Sequence, residues 1–576
     1  MSKYEELILK NIESEKFFET IEEAYRHNGE DREALEAALL QLHNSEKINI
    51  IEKFSEFSSN SNHCDIFTFR RIFGNILPKL EGSVSSVIQC IKHLILEVGD
   101  QPQALNLISS FQKFCETDSE RAERAYSCAI SDNVSEINFL TPAIVAGAIH
   151  DTELYLLRAI ELVEHANFNI QINAIRAIGL ISYADCLPLI LDSLKSLRQL
   201  IEDTKNDHSL ATALHSAINI YLNNTDTESE IEDLVKMVVS NDGDLILNTA
   251  SAILSLEADK LPDSLIELFL GALRNTNPSE IGTIDNLDFG LTDLYKKNKK
   301  KQVMEFVEYF INKNEGNFSI KKFDSLMHEI IENDLDYVVT KWFLSKKVCL
   351  CRSVTELMPE TSSKESHVKA DLSQLTKTFD GEIIFLARKA CGWLFFRPVN
   401  AASFILTLID ELDTQELQEI SDMLFDPLLL SYSGKVKDFL ESEIKASKGK
   451  TKKCIKEALL RLENYHRDLS SVSELSELYP TQSQRETYSR YHSRLMNQAL
   501  KDTPRAFLSD LFHVSVLLYG NSSISYIHHG ASDEKSRQEF ELQQHSHSIE
   551  FPSLEYLNPH GLDNTLRLFR IEGCIV

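Results

Sequence analysis

The chain has 576 residues, too many for one compact core, so it must divide into more than one packing unit. Its net charge of −29 argues against a protein that coats nucleic acid along its length and fits solvated acidic faces instead. No run of about eighteen apolar residues occurs, and the opening MSKYEELILKNIESEKFF carries acids where a signal peptide needs a basic end, so a cytoplasmic protein with no membrane association is expected. Ten cysteines are scattered without a CxxC framework, which points to neither a zinc ribbon nor a disulfide scaffold. Cys349-Leu350-Cys351 is the one close pair and reads as two thiols near a helix end.

Residues 1–137 read as consecutive helical hairpins. Strong helix formers fill 32–42, and helical stretches follow over 48–57, 66–80, 84–98 and 104–115, separated by short polar breaks. From 138 a repeat becomes visible. An Ala-Ile pair recurs at Ala148-Ile149, Ala177-Ile178, Ala217-Ile218 and Ala252-Ile253, each within similar text: AIVAGAIHD, INAIRAIGLIS, ATALHSAINIYL and LNTASAILSL. Small residues let helices approach, and Ala177 and Ala252 are expected at such contacts. A second helix follows each time, over 154–163, 189–200, 231–239 and 261–273. The stretch 168–200 carries the pattern best, with Ile172, Ile175 and Ile178 at helical spacing and Pro188 placed to open the partner helix.

Over residues 138–275 these features resemble the HEAT-type α-helical repeat. The resemblance implies an α-solenoid, whose stacked hairpins bind protein partners over large surfaces. Helices continue over 284–294, 302–311, 323–331 and 337–344. After a loop at 358–369 they resume over 382–396, 401–412, 415–424, 436–446 and 453–465. Past Pro480 the text changes. Helices are expected over 482–500 and 504–519, strands over 523–527 and 545–552 with a polar connection between them, and a closing helix over 562–569. This end resembles the ends of other bacterial helical-repeat proteins. The expected fold is mainly α: N-terminal hairpins over 1–137, a HEAT-like α-solenoid over 138–480 and a small C-terminal α+β module over 481–576.

Four constellations could carry chemistry. Gly449-Lys450-Thr451 lacks the earlier glycine of a P-loop, since Ile444 stands there, and no strand precedes it. Lys296, Lys297, Lys299, Lys300 and Lys301 form a basic run suited to an anionic partner, but no aromatics interleave it for base readout. Residues His528, His529, His545 and His547 sit in the strand region without a fixed acidic or cysteine ligand, so no metal site is assigned. Arg490, Arg494 and Lys501 form a stripe beside Tyr488 and Tyr491, a pattern that suits a phosphate- or carboxylate-bearing partner. No GxSxG, HExxH or DFG motif occurs, no residue stands out as catalytic, and nothing calls for a cofactor. The leading expectation is a non-enzymatic scaffold or adaptor that binds protein. The alternatives are a nucleic-acid-binding solenoid working with an effector enzyme, which the net charge disfavours, and a hydrolase or metal site in the C-terminal module.

Overall fold

A computed structural model describes the chain except residues 1–2, 13–15, 27–28, 59–63, 98–104, 132–138, 184–185, 359–366, 376–380, 412–413, 473–474, 477–478, 488, 491–492, 495–513, 520–521, 529–534, 542–553 and 575–576. Helix dominates the described residues, and none of their helices is long and apolar enough to cross a membrane. Two compact units emerge: Met1–Phe310 with Lys322–Leu326, and Ile311–Lys321 with Met327–Val576.

The first unit opens with α1 (Lys3–Asn11), α2 (Phe17–Arg26), α3 (Gly29–Asn44), α4 (Ile50–Ser55), α5 (Ile66–Ile76), α6 (Val84–Leu96), α7 (Leu105–Glu116) and α8 (Ser119–Ser131). Side-chain caps start several of them. Asn49, Asp65 and Ser83 each accept a backbone N–H from the first turn, satisfying donors that the helix cannot. The core here is aromatic. Phe18, Phe54, Phe57, Phe69 and Phe73 meet edge-on or tilted, with ring centroids 4.8–6.4 Å apart.

The repeat region follows as α9 (Leu140–His150), α10 (Thr152–Val163), α11 (Phe168–Leu180), α12 (Leu187–Asp203), α13 (Asp207–Asn223), α14 (Glu228–Val239), α15 (Asp244–Glu257), α16 (Asp263–Leu273), α17 (Ile281–Lys296) and α18 (Lys300–Lys313). Each helix packs on the next but one. Thus α9, α11, α13, α15 and α17 form one layer, and α10, α12, α14 and α16 form the other. This packing is compatible with a helical-repeat solenoid. Polar side chains knit it at a matching offset. Gln199 reaches Glu164, Asn286 reaches Ser251, Ser264 reaches Glu228 and Ser209 reaches Gln171, all pairs 35–38 residues apart. Asp288, buried in α17, accepts the N–H groups of Ser325 and Leu326 at 2.9 Å each, so one repeat caps the helix of the next.

Small residues set how closely the layer stacks. At Gly179 an added Cβ would lie 2.6 Å from the Cα of Ser216, whose hydroxyl donates to the Ile175 carbonyl at 2.8 Å. Ala177 and Ala217 are buried as the repeat demands. Ala252 is only half-buried, and Ile149 is 59% exposed where Ile178, Ile218 and Ile253 are buried. Ala148 is buried like Ala177 and Ala217, so the departure at this pair is confined to Ile149, which turns to solvent. Tyr183 closes the α11–α12 hairpin. Its hydroxyl donates to the Ile178 carbonyl at 2.6 Å and lies 2.9 Å from Ser193 Oγ. Pro188 sits in the first turn of α12, as expected.

After α19 (Asp324–Asn333), whose first three residues belong to the first unit, the second unit continues with α20 (Leu335–Leu344), α21 (Val348–Leu357), α22 (Glu382–Trp393), α23 (Pro398–Leu408), α24 (Thr414–Met423), α25 (Lys435–Ala446) and α26 (Gly449–Ser470). The alternation persists, with α20, α22, α24 and α26 stacked in series and α23 on α25. The Cys349/Cys351 pair lies within α21, both thiols buried. Three antiparallel strands follow: β1 (Val514–Tyr519), β2 (Ser522–His528) and β3 (Lys535–Glu541), in the order β1-β2-β3. The chain ends with α27 (Leu554–Leu557) and α28 (Pro559–Ile571).

The expected small C-terminal α+β module is not supported. Its closing helix, α28, packs chiefly on α22, with α21 beside it, rather than completing a separate unit with the strands. Residues 514–519 were expected to end a helix and are strand; a short apolar run with two valines is ambiguous between the two. The stretch read as a polar connection contains β3. The expected strand over 545–552 lies outside the described residues.

The stacking contacts give a paired prediction. Gly179→Ala should destabilise the first unit by about 1–3 kcal/mol, because the Ser216 backbone must shift. Gly271→Ala, in the exposed face of α16 with nothing within 4 Å of the added Cβ, should stabilise it by about 0.5–1 kcal/mol. Urea unfolding of the two variants checks both signs.

Candidate functional site: an acid-lined cleft

A cleft of about 1200 Å³ opens in the second unit between α19, α20, α23, α25 and the start of α26. Residues 367–371, His-Val-Lys-Ala-Asp, line it as a strap without regular secondary structure. Without a sheet partner, the strap's backbone must find side-chain acceptors. The N–H of Lys369 donates to Asp336 Oδ1 at 2.8 Å, that of Ala370 to Thr407 Oγ1 at 2.9 Å, and that of Asp371 to Thr340 Oγ1 at 2.9 Å. Helices α20 and α23 thus hold successive peptide groups. Asp371 then accepts from the backbone and hydroxyl of Ser373 and starts the short turn Leu372–Gln374.

The floor is apolar, with Leu335, Leu406 and Phe439 buried, while Glu332, Asp334, Asp336, Asp371, Asp410 and Glu443 line the cleft together with Lys369 and Lys448. Burial raises the Asp336 carboxyl above the usual aspartate range. The N–H and charge of Lys369 oppose the shift, and the Asp371 carboxylate adds to it. His367 stacks obliquely on Phe439, centroids 4.9 Å apart, and its Nδ1 is buried with no hydrogen-bond partner among the described residues. Chemically the cleft offers negative charge over an apolar floor, which suits a cationic side chain with a hydrocarbon stem.

Gly449-Lys450-Thr451 does not cradle phosphate. Gly449 opens α26, and Thr451 Oγ1 donates to Asp410 Oδ1 at 3.1 Å, which places a carboxylate at the position an anion would need. The lysine run is answered within the chain. Lys297 pairs with Asp293 at 2.6 Å, Lys299 with Asp263, and Lys301 with Glu305 at 4.0 Å, while Lys300 lies over the Tyr295 ring and Lys296 is exposed. Arg490 is exposed and pairs with Glu486 at 3.2 Å; Arg494 is exposed. Tyr488, Tyr491 and Lys501 lie outside the described residues, as do His529, His545 and His547, while His528 ends β2.

No protein-family model matches this chain, and no curated protein sequence matches it either.

The carboxylates of the cleft escaped the sequence reading because they are far apart in the chain. Their one local signal is an acid beside apolar residues, as in LDYVV (Asp336) and LIDEL (Asp410). Seven of the ten cysteines are buried and fit core packing. Burial pushes the thiols of Cys64, Cys90, Cys115 and Cys351 up to about 12 and that of Cys454 up to about 11, so they stay protonated.

Two outcomes follow. A thiol-reactive probe on the native chain should label exposed Cys186 and half-buried Cys128 and Cys574, and leave the buried cysteines for the unfolded state; peptide mass mapping checks this. Asp336 is held above its unfolded pKa, so its ionised form opposes folding at pH 7, and that penalty fades as pH falls through the raised value. Asp336→Asn should therefore raise the melting temperature at pH 7, with the gain shrinking on acidification.

Proposed function

We propose that this chain is a helical-repeat scaffold of the HEAT type that binds protein partners without catalysing a reaction, and that the cleft of its second unit receives a lysine- or arginine-bearing segment. One observation carries the reading: six carboxylates and two lysines surround an apolar floor in a cleft of about 1200 Å³. A basic side chain entering it would lay its stem on Leu406 and Phe439 and its charge among the acids.

The test uses fluorescein-labelled peptides of matched length, one set lysine- and arginine-rich and one set acidic. Basic peptides should bind the full chain with an affinity that falls as salt rises. Glu332→Lys with Glu443→Lys should weaken them at least tenfold at unchanged melting temperature. Equal binding of both sets, or binding indifferent to the charge reversals, would overturn the proposal.

A further inference from the structure

The C-terminal helix α28 lies against α22, nearly two hundred residues away in sequence. Leu562 and Leu566, one turn apart, are the buried residues of α28, whereas Leu568 and Ile571 are more than half exposed. The helix is thus seated by one narrow stripe. Its end is held by charge. Arg388 pairs with Glu572 at 2.6 Å, and Arg570 Nε donates to the Gly392 carbonyl at 2.8 Å with its guanidinium 5.6 Å from the Trp393 ring.

Lys389 makes the arrangement unusual. Its side chain is fully buried, and a buried ammonium needs partners. They come from the tail: Nζ donates to the Arg570 carbonyl at 2.6 Å and to Cys574 Sγ at 3.1 Å, and the Phe385 ring lies beneath it. A cation at a helix C-terminus also meets the negative end of the helix dipole. Gly392 provides the room. A Cβ there would first meet the Cβ of Phe569 and the N and Cγ of Arg570, atoms of the tail, at 3.1–3.2 Å. Both α22 and the tail are thus shaped for each other, although the long stretch 471–553 separates the tail from α26.

We infer that the α22 face is an acceptor groove for an amphipathic helix, occupied in cis by α28, and that a partner helix with the same pattern can replace it. The pattern is two leucines one turn apart, then Phe-Arg, then an acid two positions on, as in Leu562, Leu566, Phe569, Arg570 and Glu572. Helix-in-groove recognition reads such i, i+4 anchors. Tethering gives the chain's own helix a high effective concentration, so a free helix must compete with it. This groove is argued from different residues than the cleft and does not rest on it.

The probe is a fluorescein-labelled synthetic peptide of residues 554–576 with Cys574 replaced by serine. Anisotropy is read against three full-length proteins: wild type, Leu562→Asp/Leu566→Asp, and that double variant with Gly392→Leu added. The peptide should bind the double variant at least tenfold more tightly than wild type, because the groove is vacated. Gly392→Leu should abolish that binding, because its side chain fills the seat while the array remains folded by circular dichroism. In wild type, excess unlabelled peptide should speed maleimide labelling of Cys574, which displacement of the tail uncovers. No binding to the folded double variant, binding indifferent to Gly392→Leu, or equal binding to wild type and double variant would overturn the inference. Unaltered Cys574 labelling would overturn the replacement step.

Discussion

The constraint on which the repeat region depends is the close approach of alternate helices at small residues. Helices α11 and α13 come so near at Gly179 and Ser216 that no methyl group fits between them. The approach places polar groups of one repeat beside those of the next. Ser216 then reaches a carbonyl of α11, and Asp288 reaches the unsatisfied amides that open α19. Backbone groups at helix ends would otherwise stay without partners. Neighbouring repeats therefore supply one another's packing surface, and at Asp288 also a helix cap, so a single hairpin cannot be stable alone.

Much of this was legible locally. Apolar residues at helical spacing gave the helices of the repeat region. Pro188 marked a helix start, and the Ala-Ile recurrence marked a layer whose members stack. The reading failed where local pattern is ambiguous or where distant segments meet. VSVLLY is as apolar as a buried helix turn and forms a strand. Leu562, Leu566 and Arg570 read as an ordinary amphipathic helix, and nothing in that stretch says that α22 is its seat. The cleft carboxylates are scattered over more than one hundred residues and converge only because α20, α23 and α25 are neighbours. Periodicity reports which face of a helix is buried, and it is silent about the element that buries it.

Charge follows the same division. The lysine run looks like an anion site in one dimension. Folded, its lysines face Asp293, Asp263 and Glu305, and such exposed pairs contribute little to stability. They do neutralise the run, so less positive potential reaches a partner. The cleft gathers six carboxylates and two lysines, and burial of Asp336 makes its charge costly to keep. Carboxylates gathered over an apolar floor suit a cationic partner with a hydrocarbon stem.

The tail shows how a long chain can carry a removable element. Closing a loop costs free energy that grows slowly with length, about 0.6 kcal/mol for each doubling. The contacts of α28 with α22 therefore count for more than the length of chain between them. Two buried leucines contribute about 1.5–3 kcal/mol each, and polar contacts and the close approach at Gly392 add to them. Lys389 is the asymmetric member of that contact. Docked, its ammonium trades water for a carbonyl and a thiol. Undocked, it regains solvent at the cost of those two hydrogen bonds. A buried cation that both states can satisfy lowers the difference between them, which a partnerless apolar seat would not. The groove is thus better suited to exchange than to permanent closure.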